Sequence, residues 1–249
     1  RAAAWFEAAG YAAAAVDHRL AAGDRDAAMH LMRIVGPDLL GSGQLRTLRN
    51  ILARLADGGE LDTICLLLSG WDHYLAGRYD TAQHLLDRAL AIRPDDVEPM
   101  RAMPLRIILA LGVGDVATAL AAAREVLAAG DLAARPSELN TAVGAALAWA
   151  GACDDARATL ALALVRTKEE QRITAHAMAL VALALAEFQH ETADRARLAA
   201  RRALDHAAVS GLGEYHGIAP ALMIHVVTGP LDADTAALVD RAVALARRA

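Results

Sequence analysis

Nine histidines, His18, His30, His73, His84, His176, His190, His206, His216 and His225, have the widest chemical reach in this 249-residue chain. A metal site built on one helix needs two ligands three or four residues apart, so that both side chains face the same way. No two of these histidines have that spacing, and His190-Glu191 lacks the second histidine of a zinc-protease helix. Surface or packing histidines are the plainer reading, and no metal is expected. Cys65 and Cys153 form no Cys-x-x-Cys pair, so neither a zinc knuckle nor a disulfide framework is implied. That usage fits a reduced, cytoplasmic setting. Gly211-Leu212-Gly213-Glu214-Tyr215-His216-Gly217 misses the dinucleotide-loop spacing by one residue and follows a helix rather than a strand. A bend between helices accounts for it better. Gly41-Ser42-Gly43 has neither the spacing nor the strand of a nucleophile elbow. No acid, base and nucleophile converge at any local spacing, so the chain does not read as an enzyme and no cofactor is expected.

Charge excludes other classes. Arg195, Arg197, Arg201 and Arg202 form a basic stretch, but Asp194 and Asp205 interleave with it at helical spacing. A solvated, salt-bridged face is expected there. The net charge of −5 argues against long-range attraction to nucleic acid or to an anionic membrane. The longest uncharged stretches, 139–153 and 217–231, are too short for a spanning helix, so no membrane partner is expected.

The elements that must position any site are helices. Hydrophobic residues make up 56% of the chain and aromatics only 4%, with Ala dominant. Ala is the best helix former and lets helices approach closely. No run alternates in the manner of a strand, so the fold is expected to be all-α. A five-residue step from Gly to Ala recurs at Gly10, Gly23, Gly77, Gly114 and Gly151. Each reads as a tight corner followed by a helix whose small residue packs on the helix before it. Helices are expected over 2–9, 12–21, 26–40 and 45–56. Residues 62–96 resemble a tetratricopeptide repeat: Gly70 at a close helix crossing, Gly77-Arg78-Tyr79-Asp80 as the corner, Ala82 and Ala89 as small packing positions, and Pro94 as the stop. Leu66 and His73 replace that pattern's usual aromatics. The corners at 77, 114 and 151 lie 37 residues apart, against 34 in the tetratricopeptide period. Glu191-Thr192 stands at the next corner, with Thr192 expected to cap the helix that follows. A further unit runs from Gly213 to Val227, and Asp232 or Asp234 is expected to cap a last helix ending in Arg247-Arg248. The expected architecture is a single helical-repeat domain: a right-handed, tetratricopeptide-like superhelix of about seven helix pairs. Residues 1–57 form its opening segment and 61–249 its array.

The opening segment carries a more specific string. Ala3-Ala4-Trp5-Phe6, Gly10, the run Ala15-Val16-Asp17-His18-Arg19-Leu20-Ala21-Ala22-Gly23-Asp24, and Ala27-Ala28 resemble the start of the superhelical sensor domain of MalT-like regulators. These are large, ATP-binding, LuxR-family transcriptional activators. Leu39-Leu40-Gly41 and Thr47-Leu48 are similar to that family's next helix pair, with Asn50-Ile51 where a Trp is common. The resemblance implies a segment that senses an inducer or a regulatory protein and transmits the event to an ATPase domain and a DNA-binding domain of the same regulator. On that reading the sequence is a piece of a longer polypeptide. It contains no Gly-x-x-x-x-Gly-Lys-[Ser/Thr] loop, so ATP binding is not assigned to it.

In a repeat superhelix the first helix of each pair lines the concave face. Placing the Gly70 unit on that template turns Trp71 and Tyr74 toward the groove. The same offset selects Arg101, and then Glu138, Thr141 and Trp149, in the following units. Aromatic plates beside a charged pair hold a small polar ligand by stacking and orientation. Met178, Val181, Leu185 and Phe188 extend the surface as an apolar strip. The competing reading is that both Trp residues fill gaps between Ala-rich helices and that the strip is core. The expected function is an effector-sensing or protein-interaction domain that binds a small molecule or a protein in its concave groove. The alternative is a stand-alone scaffold that binds a peptide or a partner helix.

Overall fold

The computed structural model describes residues 11–92, 99–230 and 235–247, together with residues 2, 5, 6 and 9. The expected corner at Gly10, the stop at Pro94, the caps at Asp232 and Asp234 and the terminal Arg248 lie outside the described residues. Among those described, the fold is all-α, with thirteen α-helices and no strand. They are α1 (Ala12–Ala21), α2 (Arg25–Gly41), α3 (Leu45–Asp57), α4 (Thr63–Leu75), α5 (Tyr79–Ile92), α6 (Pro99–Gly112) and α7 (Val116–Ala128), then α8 (Ser137–Trp149), α9 (Cys153–Glu169), α10 (Ile173–Gln189), α11 (Ala193–Val209), α12 (Ala219–Val227) and α13 (Thr235–Ala246). Two short 3₁₀ turns, Leu132–Ala134 and His216–Ile218, complete the order.

The corners explain the helix boundaries. Gly77, Gly114 and Gly151 all have left-handed backbone, at φ +74°, +80° and +78°. After Gly23 and Gly114, the Asp24 and Asp115 carboxylates accept the backbone N–H three residues on, which caps α2 and α7. The corner between α10 and α11 takes the same left-handed shape without glycine, with Glu191 at φ +59°. Thr192 does not cap α11 with its side chain. Its hydroxyl turns back to Glu187 instead, 2.7 Å from Oε2 and 2.9 Å from the carbonyl oxygen. Glu187 is buried and also pairs with Arg157 of α9 at 3.1 Å, so the hydroxyl is committed to satisfying a buried carboxylate.

The helices pack as successive pairs, α2/α3 through α12/α13. The first members, α2, α4, α6, α8, α10 and α12, touch one another in order, and each second member from α3 to α11 bridges its partner and the next first member. The first members form the inner layer. In α8 every residue from Leu139 to Ala148 is buried, and α10 is buried over most of its length. A helix buried all round must be narrow and mostly apolar, which its alanines supply, while Asn140 and Thr141 donate to the Leu132 and Ser137 carbonyls. A Cβ on Gly70 would lie 2.8 Å from Leu105 Cδ2, and one on Gly144 2.6 Å from Leu160 Cγ, so an added methyl at either crossing would force the facing leucine to shift.

The inner layer bends far enough for distant parts of the chain to meet. The C-terminus of α2 rests on the start of α10, where Arg172 reaches Asp38 Oδ1 at 2.8 Å and the Pro37 carbonyl at 3.2 Å. At the other side, Tyr215 Oη lies 3.5 Å from Tyr74 Oη, across 141 residues of sequence.

Candidate functional site

A cavity of about 580 Å³ opens where that second meeting occurs. Tyr74 of α4 and Tyr79 of α5 line one side. Ile108, Leu111 and Gly112 come from α6, Ala145 and Trp149 from α8, and Met178, Val181, Ala182 and Leu185 from α10. Residues 215–217 with Pro220 and Met223 of α12 form the facing wall, and Ala242, Val243 and Ala246 of α13 close it. No aspartate, glutamate, lysine or arginine is among the lining residues.

Its polar atoms are gathered in one aromatic corner. The His216 ring is 4.8 Å from that of Tyr215, 5.5 Å from Tyr79 and 5.7 Å from Tyr74, each edge to face, while Tyr74 stacks on Tyr79 at 5.6 Å. Local sequence makes this possible. A Cβ on Gly112 would stand 3.1 Å from Tyr79 Cζ, and one on Gly217 would run into the Tyr215 ring, so glycine at both positions lets the rings lie flat. Burial sets the charge state. It pushes the Tyr74 and Tyr215 phenols upward and raises Tyr79 to about 12. It also lowers His216 to about 4, with a backbone hydrogen bond to Leu75 opposing the shift. All four groups are therefore neutral near pH 7. His216 is 7% exposed, and its Nε2 is buried without a hydrogen-bond partner.

Of the residues singled out from sequence, Tyr74 and Trp149 line this cavity, as do Met178, Val181 and Leu185 of the apolar strip. Trp149 is 45% exposed and sits at the rim. Trp71 stands one layer behind, half-buried and edge-on to Tyr74 at 5.7 Å. The expected charged pair is not there. Arg101 is exposed on α6, and Glu138 pairs with Arg172 Nε at 3.2 Å in the contact between α2 and α10. Thr141 is 1% exposed and donates to the Ser137 carbonyl at 3.0 Å, a bond within α8. These three lie toward the N-terminal ends of α6 and α8, whereas the cavity is lined by the C-terminal halves of those helices, from Ile108 to Gly112 and from Ala145 to Trp149.

Tyr79, Tyr215 and His216 are the polar lining residues that spacing did not single out as groove residues. Tyr79 reads as a corner residue, and Tyr215-His216 as part of a bend. Nothing local signals that the two segments meet. Likewise His176 and His206, thirty residues apart on α10 and α11, bring their rings within 4.9 Å. No group of three potential metal ligands occurs among the described residues, and no helix among them is long and apolar enough to cross a membrane. No protein-family model matches the chain, and no curated protein matches it.

Proposed function

We propose that this chain is the effector-sensing domain of a MalT-like, LuxR-family regulator. In this reading it is a tetratricopeptide-like, right-handed superhelix that takes a small molecule in the cavity beside His216. The family part rests on the opening string from Trp5 to Ala28 and on the repeated Gly corners. The binding part rests on one observation: a single cavity is walled by α4, α5, α6, α8 and α10 on one side and by α12 and α13 on the other. An occupant there touches segments that are adjacent only when the array is closed. It would favour the closed arrangement by its differential affinity for it, which is what a sensor needs. A partner helix, about 10–12 Å across with side chains, is less well suited to a space that α13 already covers.

A thermal-shift and calorimetric screen of small uncharged molecules tests this. At a hundredfold excess over Kd, a ligand of the native state adds about 2.7 kcal/mol. That corresponds to about 5–10 °C in Tm for a chain of this size. Broad failure of such a screen, alongside saturable capture of a peptide or helix, would move the assignment to the scaffold reading.

A further inference from the structure

The lining of the cavity restricts the chemistry of its occupant. With no charged side chain on any wall, a carboxylate, phosphate or ammonium group would be desolvated without a counter-ion. A sugar would bring several hydroxyls to walls made of Ile108, Leu111, Val181, Leu185 and Met223, which offer no hydrogen bonds. Apart from the Trp149 indole N–H at the rim, the polar side-chain groups of the lining are in the aromatic corner. There the tyrosines are neutral, and His216 holds an unpartnered, buried nitrogen. The Tyr74 and Tyr215 hydroxyls meet only at the outer limit of a hydrogen bond, 3.5 Å, so this corner is not saturated by its own contacts. Trp149, 45% exposed at the rim, offers indole surface against which a flat molecule can stack.

We infer that the cavity takes an uncharged, flat, largely apolar molecule bearing one hydroxyl or N–H group, with that group directed at the corner formed by Tyr74, Tyr79 and His216. This rests on the cavity being a ligand site, as proposed above, and adds the class of ligand. The apolar body fills the space against α10 and α12. The single polar group meets the tyrosine and histidine corner, which lies deeper than the Trp149 rim.

Three probes of one shape separate the possibilities: 2-naphthol, naphthalene and 2-naphthoate, titrated at pH 7.5 by calorimetry. The expected order is 2-naphthol tightest, naphthalene about tenfold weaker, and 2-naphthoate weaker than 2-naphthol by at least a hundredfold. Tyr79→Phe and His216→Phe should each narrow the advantage of 2-naphthol over naphthalene while leaving naphthalene binding near the parent value. Val243→Trp, at a 40% exposed rim position, should block both neutral probes without burying new bulk in the core. Equal or tighter binding of 2-naphthoate overturns the ligand class while leaving the cavity a binding site. Retention of the full 2-naphthol advantage in both corner variants overturns the role of the corner. No binding by any of the three overturns this inference and the site beneath it together.

Discussion

At the scale of single residues, His216 is the group with most at stake. Free histidine takes a proton near pH 6.5, whereas burial among Tyr74, Tyr79 and Tyr215 holds His216 down to about 4. Below pH 6.5 the unfolded chain binds a proton that the folded chain refuses. The stabilisation is therefore whole above 6.5, falls as the pH drops, and is gone by about pH 4. The shift sets an upper limit on the order of 3 kcal/mol. His176 is lowered to about 4 as well, by burial and by His206 nearby, so a comparison of variants is needed to isolate His216. Between pH 7 and 4.5 the parent should lose several degrees more in Tm than His216→Phe, and NMR should place the His216 titration well below 6.5. Equal losses would mean that the imidazole is solvated. Sequence alone does not reveal this residue, since its neighbours Tyr74 and Tyr79 lie more than 130 positions away.

At the scale of elements, the corners were largely legible because they depend on one or two adjacent residues. Gly-Asp at 23 and 114 supplied both the left-handed turn and the cap that starts the next helix. The expected helices over 12–21 and 45–56 agree with Ala12–Ala21 and Leu45–Asp57 to within a residue. Thr192 was misleading because a buried Glu187 claims its hydroxyl, a tertiary demand with no local trace. Glu191 at φ +59° carries a cost that its glycine counterparts avoid, so Glu191→Gly should raise stability by about 1 kcal/mol. Gly151→Ala should lower it by a similar amount. Thermal unfolding checks both, and a loss of stability in Glu191→Gly would contradict the shared corner geometry. The contact between α2 and α10 makes a separate prediction. Arg172→Met removes the partner of the Pro37 carbonyl, Asp38 and Glu138, and should cost about 1–3 kcal/mol. Hydrogen exchange should speed up in the C-terminal half of α2, and α12 and α13 should keep their protection.

At the scale of the whole molecule, the helical stacking follows from the pattern of small residues, whereas its degree of closure does not. The meeting of Tyr74 with Tyr215, and of Asp38 with Arg172, joins residues 141 and 134 positions apart, and no local spacing encodes it. Arg101 and Glu138 start their helices and fall outside the cavity, while Tyr74 and Trp149 end theirs and fall within it. In the proposed function, a ligand in this cavity holds the two sides of the array together. α13 makes its main contacts only with α12 and the 216–218 turn, so its amides should be among the more readily exchanging in the free protein. Hydrogen exchange with and without saturating 2-naphthol tests the claim most directly. Slower exchange is expected in α13, in residues 215–218 and around Tyr74 and Tyr79 together. Protection confined to one of those segments, or absent from all of them at saturation, would contradict it.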